Sequence, residues 1–397
     1  MLSNRQLFFD NLARTSDYPL ALEIERASGC WLYSPGGKKY LDLIAGVSVS
    51  NIGHNNPAVI SAVKDQADLH LHLMVYGEFI QKPQVRLAEM LCRFMPGNLN
   101  SVFYTNSGSE AVEGAIKLSR RYTGRHGIIS FNNAYHGSTL GALSVTGNET
   151  QKRAFRPLMP SVKHIDFNCS DSLSEISRDT ACVLVEPVQG EAGIILPEAG
   201  FLHKLREKCY QEGALLVFDE IQTGFGRTGR LFAMDRFDVV PDIVLFAKSF
   251  GGGLPLGAFV SSKEIMISLC NNPALGHITT FGGHPLSCAA GLASLNYIIE
   301  NDLVSKADKN GLLFRKLLDH PSIREVRGVG LLMAAELENE GIVKKLIAKC
   351  IDKGLVTDWF LFNGKCFRIS PPLIISQEET EYACRILLES LDELSEF

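Results

Sequence analysis

The chain has 397 residues, 46% of them hydrophobic, which is enough apolar material for the cores of about two domains. Its 44 acidic residues outnumber 39 Lys and Arg, and no basic arm or arginine-rich run offers itself to nucleic acid. No apolar stretch is long enough to span a bilayer, the first residues lack a signal-peptide core, and the ten cysteines include no CxxC pair, so a cytoplasmic protein with reduced thiols and no zinc site is expected.

Ser3 to Ala13 is predicted to form a short helix, with Ser3 and Gln6 spaced as a capping box. Ala21 to Gly46 alternates apolar and polar residues around Pro35-Gly36-Gly37, the pattern of a hairpin. Pro57 to Leu71 has helical spacing. Strand-like Ser101-Val102-Phe103 then runs into Tyr104-Thr105-Asn106-Ser107-Gly108-Ser109-Glu110, which opens a helix to about Tyr122. Serine at a helix start is either an ordinary N-cap or, with the exposed amides around it, part of a phosphate site. Phe131 to Gly141 contains Tyr135-His136-Gly137-Ser138, and the Tyr135 ring either packs in a core or stacks on a planar ligand. Val183-Leu184-Val185 reads as a strand followed by two acids, Glu186 and Glu191.

Two further apolar runs each end in one reactive residue. Leu215-Leu216-Val217-Phe218 ends at Asp219, and Ile243-Val244-Leu245-Phe246-Ala247 ends at Lys248, ahead of Gly251-Gly252-Gly253. Short apolar runs bounded by turn residues predict buried parallel strands, and the ligands of such sheets sit at the carboxyl ends. An acid and an amine would then project into one crevice. A lysine there is either a solvated amine or, in a closed site, a nucleophile toward carbonyls. The commonest use of the second is a Schiff base with pyridoxal phosphate, whose ring nitrogen a carboxylate keeps protonated. Asp219 is the candidate carboxylate. Downstream, Pro285 starts a long helix, Val326 to Glu336 reads as turn then strand, and Asn339–Lys353 and Glu378–Leu394 have helical spacing.

Phe218-Asp219-Glu220-Ile221-Gln222-Thr223-Gly224-Phe225-Gly226-Arg227-Thr228-Gly229, then Lys248, then Thr279-Thr280-Phe281-Gly282-Gly283-His284-Pro285 resembles the class III (omega-type) aminotransferases, in their order and over nearly the whole chain. The resemblance implies an α/β, aspartate-aminotransferase-like fold of type I. It has a large three-layer domain with a mainly parallel sheet and a small α+β domain. The parts would be an N-terminal segment (1–54) packing with the small domain, a large cofactor domain (55–285) and the small domain (286–397). The resemblance implies pyridoxal 5'-phosphate bound to Lys248, its ring nitrogen on Asp219 and its phosphate on Ser107, Gly108 and Ser109. Tyr135 would stack on the ring, His136 would lie beside it, and Gln222 would bond the phenolic oxygen. Thr280 would reach the phosphate of a neighbouring subunit's cofactor, giving a homodimer or larger assembly with shared sites, and Thr279 would line the substrate pocket. Arg368 would receive an oxo-acid carboxylate, with Glu191 as its reversible partner. His54 and Arg227 are expected to be structural.

Departures from the family pattern bear on the substrate. Ser138 stands where acetylornithine, ornithine and GABA aminotransferases commonly carry arginine, and serine cannot fork a carboxylate. Val112 replaces an asparagine common in acetylornithine-type members, and His284 replaces another asparagine. The expected reaction moves an amino group from a diamine or omega-amino acid (putrescine, ornithine or acetylornithine type) to 2-oxoglutarate. Alternatives are a GABA or lysine aminotransferase, a glutamate-1-semialdehyde-type aminomutase, or a non-catalytic binding module. Arg368 and Glu191 weigh against the aminomutase, because they suit a two-substrate exchange.

Overall fold

The structure is a computed structural model that describes residues 2–395. The first strands are β1 (Arg26–Ser28), β2 (Trp31–Tyr33) and β3 (Lys39–Asp42). The middle of the chain contributes β4 (Ser101–Thr105), β5 (Gly127–Phe131), β6 (Val162–Ile165), β7 (Thr180–Val185), β8 (Leu215–Asp219), β9 (Ile243–Phe246) and β10 (Gly257–Ser261). The last strands are β11 (Glu325–Val329), β12 (Leu332–Glu336), β13 (Leu355–Val356) and β14 (Cys366–Ile369).

β4 to β10 form one seven-stranded sheet in the order β4-β10-β9-β8-β7-β5-β6. β10 runs antiparallel to both neighbours, and the remaining pairs are parallel. Every residue of β7, β8, β9 and β10 is buried, which is why these runs show no polar alternation. Alternate side chains still go to opposite faces. Leu216, Phe218, Val244 and Phe246 join the core cluster that also holds Leu205 of the helix Phe201–Glu212 and Ile298 of the helix Pro285–Glu300. Leu215, Val217, Ile243 and Leu245 join Ala115 and Ile116 of the helix Gly108–Thr123 on the other face. Helices on both faces make the three layers.

The predicted hairpin forms, with Trp31 opposite Leu41 and Tyr33 opposite Lys39. β13 then adds to β3 in parallel, so the N-terminal hairpin is stitched to the last third of the chain. The capping box at Ser3 and Gln6 is present on the helix Asn4–Asn11. One sequence reading needs correcting. Val326–Glu336 is a hairpin of two strands, β11 and β12, and not a turn followed by one strand. Gly328, at φ 135°, lies inside β11, and a glycine within a strand masks its pattern. Among the described residues, no helix is long and apolar enough to cross a membrane.

His54 and Arg227 hold these pieces together. His54 Nε2 lies 2.8 Å from Asp42 Oδ2. Arg227 is fully buried; its guanidinium donates to the carbonyl oxygen of Leu331 at 3.1 Å, to that of Pro371, and to Asn51 Oδ1. One side chain thus ties the loop after β8 to both ends of the chain. Arg227→Leu strands these three buried acceptors at about 1–3 kcal/mol each. The expected outcome is a markedly lower unfolding midpoint by calorimetry, and an unchanged midpoint would contradict this role.

Candidate active site

Five segments leave the sheet at one edge. β4 leads into Asn106–Ser109, β5 into Tyr135–Gly137, β7 into Glu186, β8 into Ile221–Gln222, and β9 into Ala247–Lys248. They bound a cavity of about 380 Å³. Ser107, Gly108, Ser109, Tyr135, His136, Asp219, Gln222 and Lys248 all line it, as a site at the carboxyl ends of a parallel sheet requires.

β8 and β9 are hydrogen-bonded neighbours with Asp219 opposite Leu245, so the acid and Lys248 emerge side by side. Asp219 is 4% exposed, with Oδ2 at 2.7 Å from His136 Nδ1 and Oδ1 accepting from the Ile221 amide at 3.1 Å. His136 therefore orients the acid. Lys248 sits in the left-handed region at φ 51°, a strained position for a side chain with a Cβ, costing about 1–3 kcal/mol. Burial pushes its amine below the ordinary lysine range; the charge of Glu191 opposes this and that of Arg368 adds to it.

The turn Asn106–Ser109 is an N-cap, and its geometry is compatible with the phosphate reading. Ser107 caps the helix Gly108–Thr123, its Oγ accepting from the Glu110 amide at 3.2 Å, and the helix's first amides and dipole remain available to an anion. Ser109 Oγ accepts from the Ser138 amide at 3.3 Å. Two glycines permit the close approach of these loops. A Cβ at Gly137, where φ is 125°, would lie 2.1 Å from Ser109 Oγ, and one at Gly190 would lie 2.1 Å from Gln222 Oε1. Gln222 Nε2 is buried without a partner, and a buried donor of that kind calls for a ligand oxygen. An anion site, a buried acid, an amine and an idle amide donor around one cavity fit the phosphate, ring nitrogen, aldehyde and phenolic oxygen of pyridoxal phosphate.

Arg368 and Glu191 form a second cluster. Arg368 is 2% exposed and Glu191 5%, so Glu191 is no surface acid. Arg368 Nη2 donates to Glu191 Oε1 and Oε2 at 3.0 and 3.1 Å, Nε donates to Asp358 Oδ1 at 2.8 Å, and the Phe360 ring lies 4.3 Å from Cζ. Arg368 Nη1 is buried with no partner. Burial disfavours the guanidinium charge, but Glu191 and Asp358 outweigh it and raise the pKa.

The sequence reading gave Glu186 no role and passed over Asp358. Glu186 accepts from the Tyr135 amide at 3.0 Å and from the Gly190 amide at 3.0 Å, tying the aromatic loop to the loop that carries Glu191. Its place just after β7 was a usable signal; Asp358 stands in no motif. Thr279 and Thr280 do not line the Lys248 cavity. Thr280 is exposed, and Thr279 lines a second cavity with Tyr76, Phe79 and Tyr104. Val112 is packed in the core beneath its helix. His284 caps the helix Pro285–Glu300, its Nδ1 accepting from the Leu286 amide at 3.3 Å, which accounts for a residue able to stand in for asparagine.

Burial pushes the carboxyls of Glu186 and Glu220 up to about 7, with Asp219 adding to the shift of the first. A carboxyl that binds its proton more tightly when folded contributes stability below its unfolded pKa and loses it as pH rises through about 7. A buried protonated-carboxyl infrared band that fades near neutral pH, and that shrinks in Glu186→Gln and in Glu220→Gln, is the expected observation. A band already absent at pH 5 contradicts it.

The profile of the Aminotransferase class-III family matches residues 12–391. An acetylornithine aminotransferase of Methanopyrus kandleri is 39% identical over 381 residues, 95% of each chain. Among solved structures, an ornithine aminotransferase from Toxoplasma gondii with partial occupancy of PLP superposes with a TM-score of 0.91 at 30% identity, covering 98% of this chain and 93% of that one. A transaminase from the marine bacterium Virgibacillus does so with a TM-score of 0.93 at 28% identity, covering 98% of both. The chain belongs to the class III aminotransferases, pyridoxal-phosphate-dependent enzymes that exchange an amino group between an amine donor and a keto acid.

Proposed function

We propose that the enzyme takes the amino group of a diamine or omega-amino acid, putrescine foremost, and passes it to 2-oxoglutarate. The observation that carries this reading is the buried Arg368, covered by Glu191 yet keeping Nη1 free of partners. One site must admit an oxo acid in one half-reaction and an amine in the other. Arginine forks a carboxylate well, and Glu191 neutralises it when the donor brings no carboxylate there. Losing Glu191 without replacement would leave Nη2 as well as Nη1 buried without a partner, so a carboxylate is exchanged for a carboxylate. Ser138, exposed at the rim, offers a donor no cation.

Pyridoxal phosphate, when bound, supplies the electron sink for the carbon that loses its proton. Lys248 would hold it covalently through Nζ, and its free amine would serve as the general base and acid for the substrate carbon's proton. A burial-lowered pKa favours the neutral amine that this task needs. Asp219, steadied by His136, would hold a proton at the ring nitrogen, Gln222 would donate through Nε2 to the phenolic oxygen, and Tyr135 would stack on the ring.

The working unit in this reading is a homodimer in which Thr280 serves the partner's site. Its support is surface chemistry: Phe79 and Ile80 are 53% and 96% exposed and line one cavity with Thr279, and Phe281, next in sequence to Thr280, is 54% exposed. An apolar surface of this kind marks an interface. Sedimentation should give a dimer or larger species, and Thr280→Ala should weaken cofactor retention; a monomer with full activity would remove the shared-site reading.

The donor is tested by adding putrescine, ornithine, N-acetylornithine, lysine or GABA singly to the loaded enzyme without acceptor. Bleaching of the cofactor's absorbance by putrescine, reversed by 2-oxoglutarate, is the expected result. Lys248→Ala should keep the fold and lose turnover by at least about 10²-fold. Normal turnover in that variant would sink the mechanism, and bleaching by acetylornithine alone would replace the donor.

A further inference from the structure

The turn that carries Thr280 is fastened at its end by one histidine. Thr279 Oγ1 accepts from the Gly282 amide at 2.6 Å, the Phe281 carbonyl oxygen accepts from the His284 amide at 2.9 Å, and the Gly283 carbonyl oxygen accepts from Gln84 Nε2 at 2.8 Å. His284 then opens the helix Pro285–Glu300, its Nδ1 accepting from the Leu286 amide at 3.3 Å. An imidazole nitrogen accepts only while it lacks a proton, so this cap requires a neutral His284 with its proton on Nε2.

The surroundings disfavour a second proton. The ring is stacked on that of His72, with centroids 5.5 Å apart and planes 17° apart, and the Phe281 ring lies 6.1 Å from His284 and 4.9 Å from His72. The helix dipole adds positive potential at this N-terminus. A proton on Nδ1 would set its N–H against the Leu286 N–H and end the cap. Of the other titratable groups beside it, Tyr104 of β4 and Cys288 of the same helix are kept uncharged by burial. His72 is the only group whose charge reaches His284 among the described residues. Burial lowers the His284 pKa, and His72 lowers it further. The contribution of the neutral cap is therefore present above the ordinary histidine range and is lost as pH falls through the lowered value. Asparagine, the residue of the family pattern here, caps through an amide oxygen that does not titrate. Histidine makes the same cap conditional on pH.

Resting on the shared-site reading of Thr280 above, we propose that His284 is a pH-sensitive latch for the turn 279–283. Neutral, it holds the turn in place; protonated, it releases the turn, and the partner's site loses Thr280.

The test compares the wild-type holoenzyme with His284→Asn, which keeps a cap and removes the titration, at about pH 8 and about pH 5. Amide hydrogen exchange, corrected for the chemical effect of pH, is read over residues 279–288, and cofactor release is followed by absorbance. In the wild type, protection of this segment should fall at least about tenfold at the lower pH, and the cofactor should leave faster. In His284→Asn, protection should change by less than about twofold. Equal loss in both proteins, or loss in neither, overturns the latch. Protection lost in the wild type alone, with cofactor release unchanged, upholds the latch and removes the shared-site reading of Thr280. In the unmodified enzyme, deuterium uptake at the ring carbon Cε1 of His284 reports its own protonation. Its midpoint should coincide with that of the protection loss, and separate midpoints overturn the latch even if the variant does not fold.

Discussion

The parallel pairing of Leu215–Asp219 with Ile243–Phe246 is the constraint on which the site depends. Backbone hydrogen bonds set Asp219 opposite Leu245, so the acid and Lys248 leave the sheet within one crevice. The other strands of the sheet that run with them deliver the serine turn, the aromatic loop and Glu186 to the same edge. Burying both faces of the sheet makes this edge the place where polar groups collect, because ladder hydrogen bonds satisfy the backbone elsewhere.

Charge burial governs the chemistry at that edge. A carboxylate taken out of water is costly unless it is paired, and each buried acid here has a definite answer. Asp219 has His136, Glu186 and Glu220 accept from backbone amides, and Glu191 and Asp358 share Arg368. Lys248 forms no ion pair with a carboxylate among the described residues, and burial's push toward the neutral amine suits the proton-carrying role proposed for it. Strain adds to this: the left-handed backbone at Lys248 persists because sheet and helix packing over-determine it, as is common where a side chain must be aimed and not merely housed.

β4, β7, β8 and β9, the N-terminal hairpin and several helices were legible from the sequence, because apolar runs such as Ile243–Phe246 and caps such as Ser3 act locally, while β5, β6 and β10 were not read. Asp219 and Lys248 were legible for the same reason: each closes a run whose end must lie at a sheet edge. β11 was not, since Gly328 interrupts the pattern that identifies a strand.

What the sequence by itself determined, then, is that Asp219 and Lys248 close apolar runs and fall at one edge of a parallel sheet, since chain-local patterning decides both. Only the tertiary structure decided how charges meet across distance. Asp358 and Arg368 come together through strand-like pairing after β13, and Glu191 reaches them from the end of β7, 177 residues away in the chain from Arg368. Thr279 shows the reverse case, expected by motif in the substrate pocket yet outside the Lys248 cavity in the folded chain. Ion pairing and cavity lining depend on distances between elements remote in sequence, and no periodicity along a single chain encodes those distances.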